Sequence, residues 1–359
     1  MNRILLGIKL KSNWSFKTSF MGLFDIFKKK SKSTFPENEI EYCLSKAAND
    51  ISAQRAFYQK LVWNHLFVLR SEKSHQEEGK QLSGDDTEVD LIMFDNGQIP
   101  VFTSVNRIYD NGVIKKEQSC ISIKGEDLFT LVKGATFVLN PYSDFRKELI
   151  PAEIESLMSG EIYEQIDQAE KESAKFKTFN ELFERAGNKQ NGLIFLNGYN
   201  RKSLRDADKI KLEDSLKDFQ QCLEIIPEHW QSMVLMAKSL QRLERHAEAL
   251  AQLEAAFIIE LNNHVIPMEA SLEAMHLGDL EKAIFYSAAS LKRKPDDFTL
   301  LGNHAMNLLV AGKDNDALLT IEKALGFQPK DPVNRNVEAI VKGVIAGKRE
   351  RPTFEDAIR

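Results

Sequence analysis

The chain has 359 residues, of which 43% are hydrophobic and 28% charged, and a net charge of -5. That composition allows two or three domains, holds no apolar run long enough to span a bilayer, and gives an acidic body that argues against a nucleic-acid surface. Three widely spaced cysteines, Cys43, Cys120 and Cys222, share no ligand spacing and fit a reducing cytoplasm.

Residues 1–35 carry eight Lys or Arg and one Asp, a net of +7 that leaves -12 for the remainder. This segment reads as a basic, disordered leader. Lys9 and Lys11 interrupt the apolar run after Ile4, so a secretory signal is not expected. Met21 offers a second start, in which Leu23, Phe24, Ile26 and Phe27 precede Lys28, Lys29, Lys30 and Lys32. Two readings of that stretch stand: a weak peripheral contact to an anionic membrane surface, or a solvated, mobile terminus.

Residues 36–160 carry mixed α and β patterns. Ser52 suits the cap of a helix reaching Trp63, followed by a strand over 65–70 and a polar loop over 71–87. Asn96-Gly97 is expected to turn a hairpin between Val89–Phe94 and Gln98–Thr103. Pro100, lacking an N–H, places its strand at an edge or bulge. Strands over 119–123 and 135–139 and helices over 126–133 and 151–158 complete a compact α+β domain. The ordered segments Gly97-Gln-Ile-Pro-Val-Phe-Thr-Ser104, Gly125-Glu-Asp-Leu128, Phe137-Val-Leu-Asn-Pro141 and Leu149-Ile-Pro-Ala-Glu-Ile154 resemble the N-terminal domain of the SseB family, named for enhanced serine sensitivity. The resemblance implies a fold rather than a reaction.

Residues 161–177, rich in Glu, Gln and Lys, read as a helical linker before Thr178, which is placed to form a capping box with Glu181. Residues 178–229 read as a degenerate leading repeat. From 230 a 34-residue period takes over. Pro227, Leu261, Pro295 and Pro329 close successive segments, and three sets of small residues recur in register: Ala237, Ser271 and Ala305; Ala249, Ala283 and Ala317; Ala256, Ser290 and Ala324. Helices of a hairpin approach closely only where such small side chains meet. Gly278 and Gly312 supply turns. The pattern resembles three tetratricopeptide (TPR) repeats over 230–329. A capping helix and tail follow over 330–359, with an apolar stripe at Val333, Val337, Ile340, Val341 and Val344.

No phosphate loop, HExxH or GxSxG motif is present, and the seven histidines are scattered, so neither an enzyme nor a cofactor or metal site is expected. Thr103-Ser104, Asn140-Pro141 and Asp127 are candidates for a polar pocket at one rim of the sheet, with turn and cap roles as the plainer account. The TPR resemblance implies an inner groove lined by Gln231, Val234, Lys238, Gln241 and Arg242, then Val265, Met268, Leu272, Met275 and His276, then Thr299, Gly302, Met306, Leu309 and Val310. That groove has a basic edge at Lys238 and Arg242 and a methionine-rich later part suited to an apolar protein or peptide partner. Alternatively the stripe is covered by the capping helix or the N-terminal domain. The functional expectation is a bacterial, cytoplasmic interaction scaffold. A secretion-associated chaperone for an apolar export substrate, or a ligand-binding or enzymatic role of the α+β domain, is the alternative.

Overall fold

The computed structural model describes residues 4–11, 35–71, 86–200 and 202–353. The basic segment 12–34 and most of the 71–87 loop lie outside the described residues. The chain divides into two compact units, Met1–Ser173 and Ala174–Arg359, an α+β unit followed by an array of helical hairpins as the sequence predicts.

In the first unit a five-stranded sheet runs in the order β5 (Cys120–Lys124), β2 (His65–Leu69), β4 (Ile99–Phe102), β6 (Phe137–Leu139), β7 (Lys147–Leu149). All neighbours are antiparallel except β4 and β6. Alternation decides which face is which. Leu66, Val68, Ile99, Val101, Ile121 and Ile123 face a core closed by α1 (Glu39–Ala47), α2 (Gln54–Trp63), α3 (Gly125–Leu131) and α4 (Pro151–Ser159). Phe67, Leu69, Phe102 and Cys120 face a second, smaller cluster with Ile108 and Tyr142.

Several sequence expectations change here. Residues 4–11, read as part of a disordered leader, form β1 (Ile4–Lys11), which pairs antiparallel with β3 (Asp86–Met93) from Ile4 opposite Met93 to Lys11 opposite Asp86. The Asn96-Gly97 turn does form, with Gly97 at φ 81° and the Phe94 N–H donating to the Gln98 carbonyl at 2.9 Å. Beyond it the strands part: β3 joins β1, and β4 enters the larger sheet. Pro100 therefore sits in a central strand rather than at an edge. The Ile99 N–H points to β6, donating to the Thr136 carbonyl, so the next residue faces β2, whose ladder with β4 spans only Phe67–Phe102 and Val68–Val101. The missing donor falls where no partner is waiting. Asp50, not Ser52, caps the turn leading into α2, accepting the Ser52 N–H at 3.0 Å.

Gly125 opens α3 against the last turn of α2, and its N–H donates to the Asn64 carbonyl at 3.0 Å. A Cβ at that position would lie 2.0 Å from the Leu61 carbonyl oxygen. Because the obstruction is backbone, the two helices must separate to admit a methyl group. Gly125→Ala is expected to destabilise this unit by about 1–3 kcal/mol, read from its urea unfolding midpoint.

Helix α5 (Glu161–Gln190) crosses the division between the units. Thr178 lies inside it and donates to the Ala174 carbonyl at 3.0 Å, so the expected capping box at Glu181 is absent. Phe179, Leu182 and Phe183 of α5 pack with Cys222 and Ile225 of α6 (Asp206–Ile225). The hairpins that follow are α7 (Trp230–Arg242) with α8 (His246–Ile259), α9 (Val265–His276) with α10 (Leu280–Arg293), and α11 (Phe298–Val310) with α12 (Asp314–Phe327); α13 (Pro332–Ile345) comes last. All nine small residues of the period are buried, none more than 3% exposed.

The turns repeat as faithfully as the helices. Glu244, Gly278 and Gly312, each 34 residues apart, have φ of 61°, 73° and 79°. The following N–H reaches back to the Leu240, Ala274 and Leu308 carbonyls at 2.8–2.9 Å, closing a Schellman-type cap each time. Starts are equally regular: His229, Asn263, Asp297 and Asp331 each accept a backbone N–H of the next helix. Such caps contribute about 1 kcal/mol apiece. Glu244 alone holds the left-handed position with a side chain. Glu244→Gly is expected to raise the stability of the second unit by about 1 kcal/mol in the same denaturation measurement.

Candidate functional site

The first-helix face of the array, formed by α7, α9, α11 and α13, has two chemically different ends. At the α7–α9 end two carboxylates one helical turn apart, Glu269 and Glu273, are wholly buried. Lys238 Nζ lies 2.7 Å from Glu269 Oε2, and Gln241 Nε2 donates to both carboxylates, at 3.2 and 2.6 Å. His246 Nδ1 lies 2.7 Å from Glu273 Oε2. The remaining donors come from the connection between α5 and α6. The Gly198 N–H donates to Glu269 Oε1 at 2.6 Å, and the Tyr199 hydroxyl donates to Glu273 Oε1 at 2.8 Å. In return Lys238 Nζ donates to the Gly198 carbonyl at 2.8 Å, and Arg242 donates to the Leu193 and Lys202 carbonyls at 2.9 and 2.6 Å.

The expected basic edge is thus lost at Lys238 and kept in part at Arg242, whose charge faces neutral backbone carbonyls beside a cavity. Lys238 is 1% exposed and ion-paired, and Arg242 is spent on backbone carbonyls. The covering segment is the α5–α6 connection, an occupant the sequence reading did not consider. Glu269 and Glu273 were missed because they fall beside the implied groove positions. Their signal was available: two acids at i, i+4 in a helix otherwise built of Val, Ile, Pro, Met, Ala, Ser, Leu and His.

Electrostatics follow from the burial. Desolvation works against the Glu273 carboxylate, but hydrogen bonds from His246, Gln241 and Tyr199 outweigh it and hold its pKa below the usual range. Burial, with Glu273 beside it, pushes the Tyr199 phenol far up. The His276 ring stacks on His246 at 4.1 Å between centroids and meets Tyr199 edge-on at 4.7 Å. Burial and the neighbouring His246 push His276 down to about 4. Between its ordinary 6.5 and that value, the unfolded chain takes up a proton that the folded chain refuses. Stability should fall as pH drops through that window, and His276→Phe should make the fall shallower by up to about one proton in pH-dependent urea titrations.

At the α9–α13 end the face mixes apolar and polar side chains, with Asp331 at its margin. Met268, Leu272, Met275 and Met306 line a cavity of about 200 Å³ with Val333 and Val337 of α13, and Thr299, Asn303 and Asn334 add polar atoms. Among the other implied groove positions, Gln241, Arg242 and His276 border a wider cavity of about 1020 Å³ beside Tyr199. Val234 is half-buried against the α7–α9 core, and Leu309 is fully buried in the core of the last hairpin, so Leu309 lines no open groove.

In the first unit Thr103 and Asn140 do meet. The Thr103 N–H donates to Asn140 Oδ1 at 2.9 Å, and the Thr103 hydroxyl donates to Glu41 Oε1 at 2.5 Å. Arg107, 2% exposed, forks onto both oxygens of Glu41 at 2.8 and 3.1 Å and reaches Asp110 at 3.2 Å. The Glu37 N–H donates to Glu41 Oε2 at 2.7 Å. Asp127 stands apart, in the first turn of α3. Both Glu41 oxygens are already engaged, so this cluster fastens the chain ahead of α1 to the end of the sheet rather than offering a carboxylate to a substrate.

Residues 40–156 match the SseB protein N-terminal domain. That match covers the SseB-type unit from α1 into α4 and leaves out β1 and the helical array. No curated protein matches the sequence significantly. Among solved structures, the MamA protein is similar at 9% identity, covering 51% of this chain and 90% of that one with a TM-score of 0.41. The TPR protein YrrB is similar at 16%, covering 40% and 73% with a TM-score of 0.36. A tetratricopeptide repeat protein from Parabacteroides merdae is similar at 16%, covering 48% and 63% with a TM-score of 0.39.

Proposed function

We propose that this chain is a non-enzymatic interaction scaffold whose array takes an apolar peptide or helix of a protein partner in the α9–α11–α13 cleft. The observation that carries the reading is the pairing of two partly exposed thioethers, Met268 and Met306, across a cleft whose rim includes the largely exposed Val333. Thioether side chains adapt to partners of different shape, and apolar surface of this kind gains from being covered. Thr299 and Asn303 at the same cleft can serve the polar backbone of such a partner. The saturated Glu41–Arg107 cluster of the SseB-type unit supports a structural rather than catalytic part for that unit.

Met268→Glu combined with Met306→Glu places two carboxylates in the cleft and should abolish partner capture in affinity purification of the full chain. A partner profile that survives the double substitution, with thermal unfolding unchanged, removes the cleft from this reading.

A further inference from the structure

The α5–α6 connection is bound to the array as a ligand would be. Its hold is on backbone atoms: Lys238 and Glu269 grip the carbonyl and N–H of Gly198, and Arg242 takes the carbonyl of Leu193. Among its described residues Tyr199 adds a side-chain anchor, its hydroxyl on Glu273 and its ring edge-on to His276. Meanwhile two of its apolar side chains are left outside, Phe195 50% and Leu196 63% exposed, while Leu193 and Ile194 are half-buried. A loop that folded only to extend its own core would bury Phe195 and Leu196 as well and leave its backbone to water.

From these contacts we infer that the α7–α9 end of the array is a second peptide site, built for a bent segment that presents Gly-Tyr with the glycine in the left-handed region, and that residues 193–200, closed by the Asn200 side chain donating to the Leu193 carbonyl at 3.0 Å, occupy it in cis. The site is separate from the methionine cleft and does not depend on it. Its selectivity follows from what would be stranded without an occupant. Glu269, Glu273 and Lys238 are buried, and losing the segment removes one donor from each carboxylate and one acceptor from the ammonium. A replacement must present an N–H and a C=O to Glu269 and Lys238, with a hydroxyl reaching Glu273. A turn-forming peptide with tyrosine after a left-handed glycine meets all three demands, whereas an apolar helix, whose backbone groups are internally paired, meets none. The tethered segment competes at an effective concentration in the millimolar range, so a peptide in trans reaches the site only weakly in the intact chain.

The test uses the full chain and a fluorescent peptide spanning residues 191–200. Replacing residues 193–200 by an equal-length Gly-Ser run should tighten peptide binding at least about tenfold over the parent chain. A peptide carrying Tyr199→Phe should bind the replaced chain about tenfold more weakly, through loss of the charged hydrogen bond to Glu273. Equal affinity for parent and replaced chains, or no binding to either, overturns the inference. So does loss of peptide binding when Met268→Glu and Met306→Glu are added, since the peptide would then be sitting in the methionine cleft. Should the replaced chain fail to fold, Gly198→Val gives the second reading. Gly198 has φ 74°, where a β-branched residue is strained, so the segment should be held less tightly and peptide affinity should rise. Unchanged affinity in that folded variant likewise overturns it.

Discussion

Two carboxylates removed from water on one helix set the terms for everything around them. An unpaired buried charge is strongly destabilising, so Glu269 and Glu273 require donors from every element within reach. Lys238 and Gln241 supply them from α7, His246 from the start of α8, and Gly198 and Tyr199 from a connection far upstream in sequence. Burial and hydrogen bonding oppose each other at Glu273, and the bonds prevail. The SseB-type unit solves the same problem with a different cast. Glu41 is fully buried and is balanced by the fork of Arg107, the Thr103 hydroxyl and the Glu37 N–H. Both clusters hold together chain segments that hydrophobic packing alone would leave loosely placed.

The array was legible in sequence because its physics is local and repeated. Small residues at fixed spacing must meet, glycines two residues before the next helix must turn left-handed, and the helix-starting caps fall at the same interval. Even Glu244, which breaks the glycine pattern, adopts the dihedral angle that its position demands. The strap over the α7–α9 end was illegible for the opposite reason. It depends on pairing between residues more than 70 apart, such as Gly198 with Glu269, and no periodicity reports a partner at that distance.

In the SseB-type unit the elements were readable and their pairing was not. The Asn96-Gly97 turn follows from local chemistry, yet the strands on either side answer to separate sheets. Pro100 shows why a residue rule can be right in its physics and wrong in its placement: an absent N–H needs only a direction in which no acceptor waits, and a central strand with a short ladder provides one. Strand β1 is hidden in the sequence because it lies in a basic stretch whose charge suits a solvated leader, while its partner β3 emerges from a polar loop.

A stack of repeats in which each touches only its neighbours unfolds like a row of weakly linked spins, able to fray from either end. The strap changes that arithmetic, because a single connection leaving α5 is fastened to α7 and α9 at once. At the far end the Arg351 guanidinium folds back onto the Leu309 carbonyl and Asp314, tying the tail to the last full hairpin. The strap reaches past α7 and α8 to α9 and so raises the penalty for opening the first of these repeats alone, while the tail reinforces the last. The array is thereby drawn from a sequential melter toward a single cooperative block, with its most apolar cleft in the stretch between the two ties.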